Sequence, residues 1–225
     1  MKLDPKVFGP TLALGISPFI MVSTESLLSI SFTTSLSKYG GDLAVGAMTI
    51  ITSINMLATM PLQGFTQGGQ PIMSYNYGAG NADRVKKAFF MQFGVCVGYA
   101  TLFWGICMLI PNVLAGIFTT DAALAEYATW AIRVYMAGIF SVGFQLSCQQ
   151  SFMALGQAKI SLIMAFLRKL ILLIPLIFIL PNFFADKVFA VFLAEPVSDI
   201  LAATITTVVF FTQFKKIMSK TAKAE

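Results

Sequence analysis

The 225-residue sequence predicts an all-α membrane protein, a bundle of six transmembrane helices. Composition is the first reason: 57% of the residues are hydrophobic and 11% charged, where a soluble domain averages about 25% charged. Mean hydropathy, at +0.80, is the second. The third is distribution, because most charges collect between apolar runs that reach or exceed the roughly 20 residues needed to cross a bilayer. A chain of this length could be one soluble domain, but that charge pattern excludes it.

The first helix is expected over about residues 9–36. Met1–Pro10 is short and slightly basic; the apolar run after it has no small-residue cleavage site and contains Glu25, so it reads as a span and not a signal peptide. The second helix, about 43–75, is longer than a span requires, and its tail should project beyond the hydrocarbon. Between it and the third lies GFTQGGQPIMSYNYGAGNADRVKK, Gly64 to Lys87. Gly68, Gly69 and Pro71 are expected to loosen or end the second helix. Gly78, Gly80 and Asn81 suit a tight turn with positive φ, and Asp83 is placed to cap the next helix, with Arg84, Lys86 and Lys87 at a membrane surface. A phosphate cradle is the weaker reading of GAGNAD, because no strand precedes it and the lysine of a P-loop is missing.

The third helix covers about 85–110 and closes at Pro111-Asn112. A short connection through Thr119-Thr120-Asp121 leads to the fourth, about 122–155, and Gly156-Gln157 turns the chain into the fifth, about 160–180. Pro181-Asn182 closes the fifth, the sixth runs over about 186–214, and residues 215–225 form a basic tail. No internal repeat, low-complexity tract or soluble domain stands out, so residues 1–225 read as a single transmembrane lobe.

Loop charge sets the expected orientation. Lys2, Lys6, Arg84, Lys86, Lys87, Lys159 and the tail lysines 215, 216, 220 and 223 fall on one side, against Lys38 and Lys187 on the other. Both termini are therefore expected in the cytoplasm of a cell-membrane protein, which requires an even number of spans. The net charge of +5 points to the lipid bilayer as partner and not to nucleic acid, since the cations sit at helix ends. Cys96, Cys107 and Cys148 lie in apolar runs without metal-ligand spacing, and histidine is absent. A zinc site or a histidine-dependent catalytic centre has nothing to be built from. No enzyme activity, metal or cofactor is expected.

Charges within spans are costly in lipid and mark where function should be sought. Glu25 sits in Ser23-Thr24-Glu25-Ser26 of the first helix, Arg133 in the fourth, and Glu195 and Asp199 in the sixth, four residues apart on one face with Pro196 between them. At 1.5 Å per residue from the outer helix ends, Glu25 and Arg133 lie roughly 16 Å deep, Glu195 roughly 12 Å and Asp199 roughly 18 Å. Three carboxylates at similar depth, with Arg133 as their counter-ion, form a candidate proton- or cation-binding centre; a structural ion-pair cluster is the competing reading. Arg168-Lys169 counts close enough to the cytoplasmic end to snorkel and anchor in headgroups. Asn55, Gln63, Gln145 and Gln149 either line a substrate path or bridge helices. The 12 methionines and 21 phenylalanines suit an adaptable cavity for bulky organic cations, and are equally ordinary in lipid-facing helices.

The order Gln67-Gly68-x-x-Pro71-Ile72-x-Ser74-x-Asn76-x-Gly78-Ala79, followed by Arg84, resembles the multidrug and toxic compound extrusion (MATE) transporters. The resemblance extends, as helix order, over nearly the whole chain. In that family a similar segment closes the second helix of each six-helix half, and one branch carries a membrane-embedded acidic residue in the first helix of the C-terminal half, where Glu25 stands. Glu195-Pro196-x-x-Asp199 looks like the last helix of that half in bacterial members, and Arg168-Lys169 also resembles a family feature. The acidic residue that some members carry in the helix matching the fourth is replaced here by Gln145, Gln149 and Gln150. The resemblance thus implies the C-terminal half of a secondary active exporter of organic, cationic compounds, coupled to H⁺ or Na⁺ antiport. It also implies a partner: a MATE N-terminal half or a second copy of this chain. A lipid-linked or polysaccharide flippase of the same superfamily, and an inactive truncated subunit, are the alternatives.

Overall fold

The computed structural model describes the backbone of residues 5–221 and the side chains of residues 23–219. Helix runs over Pro5–Gly78 with one break at Gly41, whose φ of 63° and ψ of −156° leave the helical region. We call residues 5–40 α1 and residues 42–78 α2. The break falls where a glycine can take positive φ, and the preceding Gly40 is packed tightly: a Cβ there would meet Ala44 Cβ at 2.5 Å and Val188 Cγ2 at 3.0 Å. The expected loop between the first two helices is therefore a bend within one helical run.

The remaining helices are α3 (Ala82–Leu109), a short α4 (Pro111–Phe118), α5 (Ala122–Ala154), α6 (Ala158–Asn182) and α7 (Lys187–Thr221). Among the described residues five segments are long and apolar enough to cross a membrane, and the first, Ser23–Gly78, joins the end of α1 to α2 across the Gly41 bend, so the helix order is that of the six-helix bundle expected. The short α4 was not anticipated. It has Pro111 at its first turn, where a missing N–H costs nothing, and leaves Val113 and Ile117 exposed as a greasy face.

Turn chemistry explains most ends. Gly80 takes φ of 81° between α2 and α3, and Gly156 takes φ of 72° between α5 and α6. Asp121 Oδ1 accepts hydrogen bonds from Ala123 N and Leu124 N, capping α5, and Asp186 Oδ1 accepts from Val188 N and Phe189 N at 3.0 Å, capping α7. Two expectations are corrected here. Asp83 makes no cap and instead pairs with Lys86 Nζ at 3.0 Å. Gly68, Gly69 and Pro71 do not end α2, which continues to Gly78. Gly69 makes room instead: a Cβ there would lie 2.2 Å from Oε1 of buried Gln92, which reaches across from α3.

Three helices are irregular at mid-length. In α5 a 3₁₀ turn spans Met136–Gly138, in α6 a π-helical stretch spans Leu167–Leu173, and α7 contains Pro196. The first and third touch, since a Cβ on Gly138 would sit 2.7 Å from Pro196 Cα. One apolar core contains Leu36, Ile51, Ile54, Ile132 and Phe192 from the half of the bundle with the Gly41 bend. A second, at the Gly80 and Gly156 end, stacks aromatic rings: Phe89 and Phe210 are 4.6 Å apart by centroid, Phe152 and Phe210 5.0 Å. Apolar side chains such as Ile30, Leu102 and Val208 point outward, as lipid-facing positions require.

Helices α3 and α5 approach closely through small residues, because without a hydrophobic drive in lipid close packing must hold them. A Cβ on Gly143 would meet Cys96 O at 2.7 Å and Ala100 Cβ at 2.9 Å, while Gly98 faces open space. Gly143→Ala is therefore expected to destabilise the bundle by about 1–3 kcal/mol. Gly98→Ala should be neutral or slightly stabilising. Thermal unfolding of both variants in detergent checks the contrast; equal effects would contradict it.

Candidate functional site

A cavity of about 880 Å³ opens among α1, α2, α5 and α6, with Glu195 of α7 in its wall. On α2 the positions 52, 55, 59 and 63 recur at helical spacing and put Thr52, Asn55, Thr59 and Gln63 on this wall. The two threonines spend their hydroxyl protons on their own helix, Thr52 Oγ1 donating to Met48 O and Thr59 Oγ1 to Asn55 O, each at 2.8 Å. The amides remain as the polar groups facing the space. On α5, Gln145 and Gln149 are one turn apart and line the same cavity, and Gln145 Oε1 is buried with no hydrogen-bond donor among the described residues. All four residues expected on a substrate path thus share one cavity.

Its charged wall is built on the π-helical stretch of α6. Arg168 Nη2 donates to Glu195 Oε1 at 3.2 Å, and Arg168 Nε lies 2.7 Å from Asp199 Oδ1. The second contact is a close charge pairing whose N–H is poorly aligned with the carboxylate, so it is Coulombic more than a directed hydrogen bond. Ser198 Oγ donates to Arg168 O at 3.0 Å, fastening the irregular stretch of α6 to α7 a second time. Glu195 and Asp199 are buried, at 6% and 2% exposure, so removal of the guanidinium would leave two carboxylates uncompensated. On the next residue Lys169 Nζ pairs with Glu25 Oε1 of α1. Two adjacent cations therefore tie α6 to α7 on one side and to α1 on the other.

The structure brings Glu25, Glu195 and Asp199 into one charged network but leaves Arg133 out. Arg133 is exposed on α5, does not line the cavity and forms no ion pair among the described residues. Arg168 takes the counter-ion place expected for Arg133, and Arg168 and Lys169 turn inward where headgroup anchoring was expected. Depth counting cannot see which face a residue occupies, and that is what separates Arg133 from Arg168. Depth also argues against snorkelling, since Arg168 stands ten residues inside α6, about 15 Å, near the middle of a hydrocarbon core about 30 Å thick. A buried pair of carboxylates four residues apart was the available signal that an inward cation had to exist, but the pattern of α6 does not say which one.

With every group charged, Glu25, Glu195 and Asp199 against Arg168 and Lys169 leave the network one negative charge in excess. Among the described residues no three His, Cys, Asp or Glu side chains are grouped to hold a metal ion. Arg168→Met is expected to cost about 3–5 kcal/mol, as for breaking a buried pair from one side. Arg133→Met should cost less than about 1 kcal/mol. Melting of the two variants in detergent measures the difference, and a larger loss for Arg133→Met would contradict the pairing.

Residues 18–179 match the MatE family model. Multidrug export protein MepA of Staphylococcus aureus (strain N315) is 27% identical over 213 residues, which cover 91% of this chain and 45% of that protein. MepA of Staphylococcus saprophyticus is 24% identical over 197 residues, 85% of this chain and 42% of that protein. Among solved structures, the inward-facing conformation of a multidrug resistance MATE family transporter of the MOP superfamily superposes with a TM-score of 0.89 at 16% identity, over 97% of this chain and 50% of that one. A MATE crystal structure in the bent conformation gives 0.86 at 16% identity, over 99% and 49%. The chain thus spans about half the length of the proteins it matches, and the solved structures share its fold. With the family model matched over well more than half of its length, this multi-pass membrane protein belongs to the MatE family.

Proposed function

We propose that the chain is one six-helix half of a secondary active multidrug exporter that expels organic cations in exchange for H⁺ or Na⁺. One observation carries this reading: a single cavity of about 880 Å³ combines four amide side chains with two carboxylates, Glu25 and Glu195, set against Lys169 and Arg168 in its wall. That volume suits a drug-sized molecule. Glu25, at 61% exposure, is the carboxylate that a cation in the cavity can reach. The S. aureus relative's name as a multidrug export protein supports the same reading.

In this mechanism the coupling ion and the organic cation compete for Glu25. Binding of the ion from outside releases the substrate outward and biases the protein toward its inward-open arrangement. Alternation of that kind needs a second bundle to rock against, either a MATE N-terminal half or a second copy. The native setting would be a cell membrane with both termini in the cytoplasm, as loop charge requires. A flippase for an anionic lipid-linked cargo draws support from Arg168 and Lys169 in the cavity wall, but each cation is already neutralised by a carboxylate. Glu25, the more exposed partner of its pair, favours a cationic cargo.

Efflux of a cationic dye from cells expressing this chain, with and without a MATE N-terminal half, tests the reading. Export is expected in at least one of the two arrangements, and Glu25→Gln should lower it at least about tenfold while the protein still inserts and folds. Full efflux by Glu25→Gln would overturn the proposed role of Glu25, and absence of efflux in both arrangements would favour an inactive subunit.

A further inference from the structure

Lys169 ties α6 to α1 at a place that opens on the cavity. Its ammonium pairs with Glu25 at the cavity wall, where Lys169 keeps 26% of its side chain exposed and Glu25 keeps 61%. A cation entering the cavity meets Glu25 already occupied. Of the two adjacent cations Lys169 is the singly held one, since Arg168 is engaged by both Glu195 and Asp199. Among the described residues, the polar groups that α2 and α5 add to this wall are amides, hydroxyls and the phenol of Tyr135, with no further cation.

Resting on the cation-export reading, we propose that Lys169 is a resident cation of the transport site. It neutralises Glu25 while the cavity holds no organic cation, and swings away from Glu25 when one arrives. A flexible four-carbon stem carrying a compact charge with three rotatable donors suits such a move, whereas the planar, doubly engaged Arg168 is suited to stay. The exchange sets a threshold: a ligand must outcompete an ammonium, so weakly basic and neutral molecules are held less well than permanent cations. It also unties α6 from α1 when the cavity fills, because the same ion pair joins the two helices.

Equilibrium binding of tetraphenylphosphonium to the full chain in lipid nanodiscs tests the assignment. Lys169→Met is expected to bind this cation about tenfold more tightly than wild type, because Glu25 is then free. Lys169→Gln should do the same, providing a second neutral variant should the first fold poorly, and Lys169→Arg should stay within about twofold of wild type. Glu25→Gln should lose binding. If Glu25→Gln loses binding while both neutral variants bind no more tightly than wild type, the resident-cation role is overturned and the cation site stands. If Glu25→Gln binds as wild type does, the cation-site reading itself fails.

Discussion

The pairing of Arg168 with Glu195 and Asp199 is the constraint on which the rest of the bundle depends. Two carboxylates one turn apart on α7 are buried, and each would be costly in a low-dielectric interior without a counter-charge. A guanidinium can serve both because its donors are fixed in a plane and it stays charged when desolvated. To deliver it, α6 must keep a charged residue near mid-membrane and turn it inward. The π-helical stretch from Leu167 to Leu173 lies where that happens, and the Ser198 hydroxyl takes up the Arg168 carbonyl. The irregular backbone thus appears where it is buried against protein, as lipid demands.

From that anchor the other irregularities fall into place. Pro196, between the two carboxylates, interrupts the hydrogen-bond ladder of α7, and Gly138 in the 3₁₀ turn of α5 accommodates the proline backbone at a distance that any larger residue would violate. Three helices are therefore softened at the same level, next to the charged network and bordering the cavity. Elsewhere the bundle is held by ordinary means: small-residue contact between α3 and α5, and aromatic stacking around Phe89 and Phe210. A softened middle suits the proposed transport role, in which the binding site changes accessibility, since local stability need not be uniform across a fold.

How much of this was legible in the sequence depends on the kind of signal. Helix number, the Gly80 and Gly156 turns and the membrane class follow from apolar run length and turn residues, which are local properties. The shared cavity of Asn55, Gln63, Gln145 and Gln149 was legible as helical spacing on two helices, although only the fold brings the two faces together. Arg133 could not be seen to face away from the carboxylates nor Arg168 toward them, because both stand in apolar runs and the face each occupies is set by neighbours distant in sequence. Gly69 looked like a helix breaker because its missing side chain was visible while the Gln92 that fills the space was not. The bend at Gly41 and the short α4 were hidden for a simpler reason: glycine and proline mark an interruption without saying whether a loop, a kink or a new helix follows.

The most direct test of the central claim is a double-mutant cycle between Arg168 and Asp199, read as unfolding free energy in detergent. Arg168→Met and Asp199→Leu are each expected to destabilise, and the double variant should recover part of the loss, with a coupling of about 2 kcal/mol or more. Effects that add within about 0.5 kcal/mol would mean that the two charges are neighbours without being partners, and would contradict the account.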